Sequence, residues 1–113
     1  MSRFSNNEGT GFHLTFDNDW TISVQFGGGH YCDNKNESYD WARSRVMDSI
    51  PVHSSNAEIA VWRRNGGLIW LENDTVRGWT TTDEVAQVIH KLRTAKSTLT
   101  DKQMTKRLST IWK

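Results

Sequence analysis

From Phe12 to Phe26 the apolar residues fall on every second position: Phe12, Leu14 and Phe16, then Trp20, Ile22, Val24 and Phe26. A repeat of two is the repeat of a β-strand with one face on a core and the other in water, so this stretch predicts a half-buried hairpin. Its two runs are joined through Asn18-Asp19, residue types that tolerate the positive φ of a tight connection. Register is strongly specified, because a slip of one residue would carry the whole apolar set into water.

A second hairpin is expected from residues 58–62 and 68–71, which flank Arg63-Arg64-Asn65-Gly66-Gly67. Asn65-Gly66 is the strongest short turn signal in the chain. The second arm, Leu68-Ile69-Trp70-Leu71, is apolar at consecutive positions and predicts a strand covered on both faces, central in the sheet.

Beyond residue 80 the spacing changes to that of a helix. Thr81 and Glu84 form a capping-box pattern, and Val85, Val88, Ile89 and Leu92 follow at i, i+3, i+4 and i+7. Thr100 and Gln103 open a second, more exposed helix with Met104, Leu108, Ile111 and Trp112 on one side. Residues 34–56 read as a long excursion holding a short helix that Ile50-Pro51 ends. An excursion of that length in a small domain is commonly functional.

The fold expected is α+β in a single domain, residues 1–113: a four-stranded antiparallel sheet of two hairpins covered by an 82–94 helix, with the terminal helix packing on a neighbouring subunit. At 113 residues the chain fits one core. Six tryptophans in that length must be buried or used, which points to a homo-oligomer. Trp20, Trp62 and Trp70 are assigned to core or interface.

Fourteen basic and thirteen acidic side chains leave a net charge of +1, so no global field draws the protein to DNA or an anionic membrane. A single cysteine builds no disulfide framework and suits a reducing compartment. With no signal-peptide core or spanning segment, the expectation is a soluble, cytoplasmic protein. The N-x-S/T matches at Asn36 and Asn73 then carry no meaning.

Chemistry concentrates in FGGGHYCDN, residues 26–34. Gly27, Gly28 and Gly29 lack Cβ atoms, so their backbone amides can turn toward an anion and a ligand can approach closely. The run has neither the Walker lysine and hydroxyl nor G-x-G-x-x-G spacing. His30 and Cys32 could be base and nucleophile, and with His53 they are the only metal-ligand grouping to consider. Both readings are weak, because no second cysteine, H-E-x-x-H pair or outstanding carboxylate pair accompanies them. No cofactor is implied.

Binding is the better supported reading. Tyr31, Tyr39, Trp41 and Trp79 lie in or near irregular segments together with Arg43, Arg45 and Arg77, and flat rings stack on bases while guanidinium forks take phosphates. His30 and Tyr31 would orient the ligand over the glycine amides.

The blocks GFHLTFDNDWTISVQFGGGHYCDN and AEIAVWRRNGGLIWLENDTVRGWTTTDEVAQVI, in that order, resemble small accessory proteins of tailed bacteriophages over residues 11–90. The resemblance implies a counter-defence role in the host cytoplasm, and one such class, the viral sponge proteins, sequesters cyclic nucleotides made by bacterial immune systems. The expectation is therefore a non-catalytic nucleotide-binding protein. Its rivals are an inhibitor that binds a host defence protein through Trp41, Trp112 and the basic C-terminal segment, and a small enzyme using His30 or Cys32.

Overall fold

In the computed structural model, residues 2–6, 10–28, 30–34 and 53–113 are described. Five strands, β1 (Arg3–Asn6), β2 (Gly11–Thr15), β3 (Trp20–Gln25), β4 (Asn56–Arg63) and β5 (Val76–Thr81), form one antiparallel sheet in sequence order. Two helices, α1 (Thr82–Arg93) and α2 (Asp101–Ser109), follow. The fold is α+β.

The first predicted hairpin is present as β2 and β3, with Phe12 opposite Val24 and Leu14 opposite Ile22. Asp19 takes φ 71° at the turn. The expectation of one wet face fails for β3, where Thr21, Ser23 and Gln25 are buried as well as Trp20, Ile22 and Val24. That second face of β3 is therefore covered as well, and within its buried polar row Gln25 Nε2 donates to Ser23 Oγ at 3.0 Å.

The second hairpin needs correction. Asn65 makes the expected left-handed turn at φ 63°, but residues 68–71 form no strand. Leu68 makes a single bridge to Trp62, and Ile69 N donates to Val61 O at 2.9 Å. Ile69 and Leu71 turn into the core while Leu68 and Trp70 are exposed, so the segment is neither central nor covered on both sides. The strand that pairs with β4 is β5, and the exposed β1 adds the fifth.

Both helices cover one face of the sheet. Val88 and Leu92 of α1 and Met104 and Leu108 of α2 are buried with Trp20, Ile22, Ile59 and Val61. Removing each such aliphatic side chain from water contributes about 1.5–3 kcal/mol. The two capping boxes form as predicted: Thr81 with Glu84, and Thr100 with Gln103. The last helix packs on this chain's own core, where Met104 and Leu108 are both fully buried. No helix among the described residues is long and apolar enough to cross a membrane.

Two long-range ties hold the helical layer to the sheet. Asn18 Nδ2, at the β2–β3 turn, donates to Leu92 O at 2.7 Å and Ala95 O at 2.9 Å, satisfying carbonyls at the end of α1. Arg63, at the end of β4, lies 5.1 Å over the Trp20 ring, donates to the carbonyls of Ser97 and Leu99, and pairs with Asp101 at 3.7 Å.

Candidate functional site: an aromatic pair on the sheet face opposite the helices

Opposite the helices, the loop that follows β3 folds back over β4 and β5. Gly27 is buried, and a Cβ there would stand 2.5 Å from Thr10 Cβ. Its carbonyl accepts from His30 N at 3.3 Å and from the buried Cys32 thiol at 3.7 Å. The residue is glycine so that the chain can turn tightly against Thr10. Gly28 is half-buried; Gly29 lies outside the described residues.

Next in the loop, Tyr31 N donates to Glu58 Oε2 at 2.7 Å, and Tyr31 O accepts from Trp79 N at 2.8 Å. The loop is thereby clamped between adjacent strands. On β5 the register supplies the reason Trp79 is there: Thr80 pairs with Ala57 and Arg77 with Ile59, so Gly78 and Trp79 together oppose the single residue Glu58. This is a β-bulge, a device that re-aims a side chain. Trp79 takes φ 49° within it, an uncommon left-handed conformation for an aromatic residue.

Turned outward by the bulge, the Trp79 ring stacks on Tyr31 with centroids 5.9 Å apart and an interplanar angle of 28°. Tyr31 remains 49% and Trp79 53% exposed, so the paired rings present a plane to solvent. Gly78 makes the seam possible, because a Cβ there would lie 2.6 Å from Tyr31 Cβ. At one edge, His30 Nδ1 sits 3.6 Å from Glu58 Oε1.

Further along the loop, Asp33 N donates to Asn56 Oδ1 at 2.9 Å, and Asn34 Nδ2 donates to Phe26 O at 2.7 Å and His53 O at 2.8 Å. The Asp33 carboxylate accepts from Ser55, and hydrogen bonds from Ser55 and Asn56 hold its pKa below the ordinary carboxylate value. The chain therefore leaves and returns through a hydrogen-bonded neck. Trp41, Arg43 and Arg45 belong to the residues 35–52 in between, which lie outside those described.

Of the predicted binding residues, His30, Tyr31 and Trp79 come together. Arg77 does not join them. Its neighbours in register put it on the helical face, where its guanidinium lies 4.4 Å over the Trp112 ring, pairs with Glu72 and Glu84 at 3.2 Å each, and donates to Thr80 Oγ1 at 3.0 Å. A guanidinium so fully engaged is a strut between β5 and α1, with no donor pair to offer a phosphate. Trp112, named for protein contact, is half-buried beneath it. Trp70, assigned to core or interface, is 59% exposed.

Sequence reasoning missed Glu58 and Gly78. The second carried a usable signal, since a glycine inside a strand often marks a bulge or a close backbone approach.

The groups considered for catalysis are not paired either. Among the described residues no hydrogen bond joins the His30 imidazole to the Cys32 thiol, and no group of three or more His, Cys, Asp or Glu side chains is arranged to hold a metal ion. Set against known proteins, the chain matches no family description, no curated protein and no solved structure.

Proposed function

We propose that this protein binds a nucleotide-type ligand without transforming it, taking the base on the Tyr31–Trp79 plane. One observation carries the reading: two half-exposed rings are held stacked by backbone ties and a strained bulge. Packing of the core does not require that arrangement, and strain kept at a surface position is a mark of function. A plane already ordered before binding loses little entropy when a base lands on it, and a base stacked on an aromatic side chain gains about 1–3 kcal/mol.

His30 and Glu58 at the rim supply polar groups for the edge of a base. Arg43, Arg45 and Trp41 are further contacts proposed on sequence alone, carried by the chain between Asn34 and His53, whose two ends meet beside the rings. With the resemblance to phage accessory proteins, the biological role we propose is sequestration of a nucleotide immune signal in the host cytoplasm, by a homo-oligomer.

The test is native mass spectrometry of the purified protein with a panel of cyclic and linear nucleotides, recovering the small molecules afterwards. Intact bound nucleotide, lost in Tyr31→Ala and Trp79→Ala, is the expected result. Recovery of altered nucleotide would make the protein an enzyme. No binding across the panel would end the nucleotide reading and favour a host-protein partner, for which the exposed Leu68 and Trp70 are the contact surface.

A further inference from the structure

At the other end of the same face, four strands line up one residue each. Arg3 of β1 is opposite Thr15 of β2, Thr15 is opposite Thr21 of β3, and Thr21 is opposite Trp62 of β4. Residues directly opposite in antiparallel strands share a face, so the row places a guanidinium, two hydroxyls and an indole side by side on rigid backbone. The two hydroxyls are 2.9 Å apart. From the β4–β5 connection Arg64 joins them, its amide donating to Asp19 O at 3.1 Å and so tying this turn to the β2–β3 turn.

These side chains line a cavity of about 380 Å³. That is within the range of about 300–1,000 Å³ typical of small-ligand sites. Arg63, Arg77 and Arg107 are each tied to carboxylates, carbonyls or hydroxyls. By contrast, among the described residues the guanidiniums of Arg3 and Arg64 have no hydrogen-bond or ion-pair partner. Asp19 also lines the cavity, but the two guanidiniums outnumber it and leave the site net positive.

We propose that this cavity is a second binding site, for a phosphorylated small molecule that carries a planar ring. The Arg3 and Arg64 forks take the phosphate, the Thr15 and Thr21 hydroxyls rotate to donate to it, and the ring lies along Trp62. The proposal does not rest on the Tyr31–Trp79 site. Glu58, beneath that site, and Trp62 are four residues apart on β4, which separates the two sites by roughly 13 Å at about 3.3 Å per residue.

The test follows the indole N–H signals of ¹⁵N-labelled protein during titration with adenosine monophosphate, adenosine or inorganic phosphate, with Trp62→Phe and Trp79→Phe used for assignment. Expected is a saturable shift of the Trp62 signal by adenosine monophosphate, with adenosine and inorganic phosphate each at least about tenfold weaker. Arg3→Ala and Arg64→Ala should each weaken the binding by about tenfold or more, the usual loss for a hydrogen bond to a charged group. Both positions are exposed, and the rest of the amide spectrum should not move.

An adenosine monophosphate titration that leaves the Trp62 signal in place would overturn the proposal. So would an unchanged affinity at Trp62 in both arginine variants, or inorganic phosphate binding as tightly as the nucleotide. A shift at Trp79 alone would sink the cavity and leave the aromatic plane standing, whereas a shift at Trp62 alone would do the reverse.

Discussion

The two faces of the sheet treat the same residue types in opposite ways. Under the helices, Arg63 and Arg77 spend their donors on carbonyls and carboxylates and cover the rings of Trp20 and Trp112. On the opposite face, Arg3 and Arg64 flank a cavity without partners among the described residues, and Tyr31 and Trp79 are each about half exposed. A side chain whose every group is satisfied within the fold is architecture. One that the fold positions but leaves partly exposed can meet something outside the chain. On this difference rests our proposal that binding takes place on the face opposite the helices.

The largest effect should separate the faces by stability. Leu92→Ala removes a fully buried side chain of α1 from the shared core and should cost about 2–5 kcal/mol in denaturant unfolding. Trp79→Ala, although it deletes a larger side chain, should stay under about 1 kcal/mol, because half of that ring is already in water. Equal losses would mean the Tyr31–Trp79 pair is structural, and the comparison would fail.

Gly78→Ala probes the seam. The new methyl would sit 2.6 Å from Tyr31 Cβ and 2.9 Å from Tyr31 O, and backbone cannot yield as a flexible side chain can. Loop 30–34 should lift from β5, costing about 1–3 kcal/mol by overpacking and moving the Trp79 indole signal. The Trp62 signal should stay, since its cavity is walled by β1 to β4. Movement of both would show that the two ends of the face are coupled.

Asn18→Ala is expected next, at about 1–2 kcal/mol, since one amide nitrogen serves the carbonyls of both Leu92 and Ala95. The loss should appear in thermal unfolding and, by amide exchange, first in the last turn of α1.

Asn18 also marks the boundary of what was legible in advance. Its suitability for a turn is a local property and was evident from the alternation on either side. Its bonds to residues 74 and 77 positions away depend on where α1 ends in space, which no local pattern encodes. The same division runs through the molecule. Alternation gave the β2–β3 hairpin, and capping residues gave both helices, because each is decided within a few neighbours. Residues 68–71 misled because a short apolar run does not say whether it pairs in a ladder, and β5 was overlooked because Gly78 interrupts its pattern. Of the residues proposed for binding, His30, Tyr31 and Trp79 were recognisable as aromatic or polar groups near irregular backbone. That Arg77 points the other way follows only from the register with Ile59, and the row Arg3–Thr15–Thr21–Trp62 exists only once four strands are aligned.

The smallest effect tests whether the helical face is as electrostatically settled as the comparison requires. Burial acts to raise the pKa of Glu84, but the hydrogen bond from the Thr81 amide, the charge of Arg77 and bonds from the side chains of both outweigh it and leave the pKa below its ordinary 4.5. A carboxylate with a lowered folded-state pKa contributes stability that is complete above the unfolded value and is lost as the pH falls through the folded one. Glu84→Gln keeps an oxygen for the Thr81 amide but removes the charge, so it should cost only about 0.3–1 kcal/mol at neutral pH. The difference between wild type and variant should shrink as the pH falls from 4.5 through the lowered value, where both carry a neutral side chain. A difference that stayed constant through that range would locate the contribution of Glu84 in its cap geometry. Arg77 would then be free of the charge that holds it on the helical face, and its exclusion from the binding side would rest on the register of β5 alone.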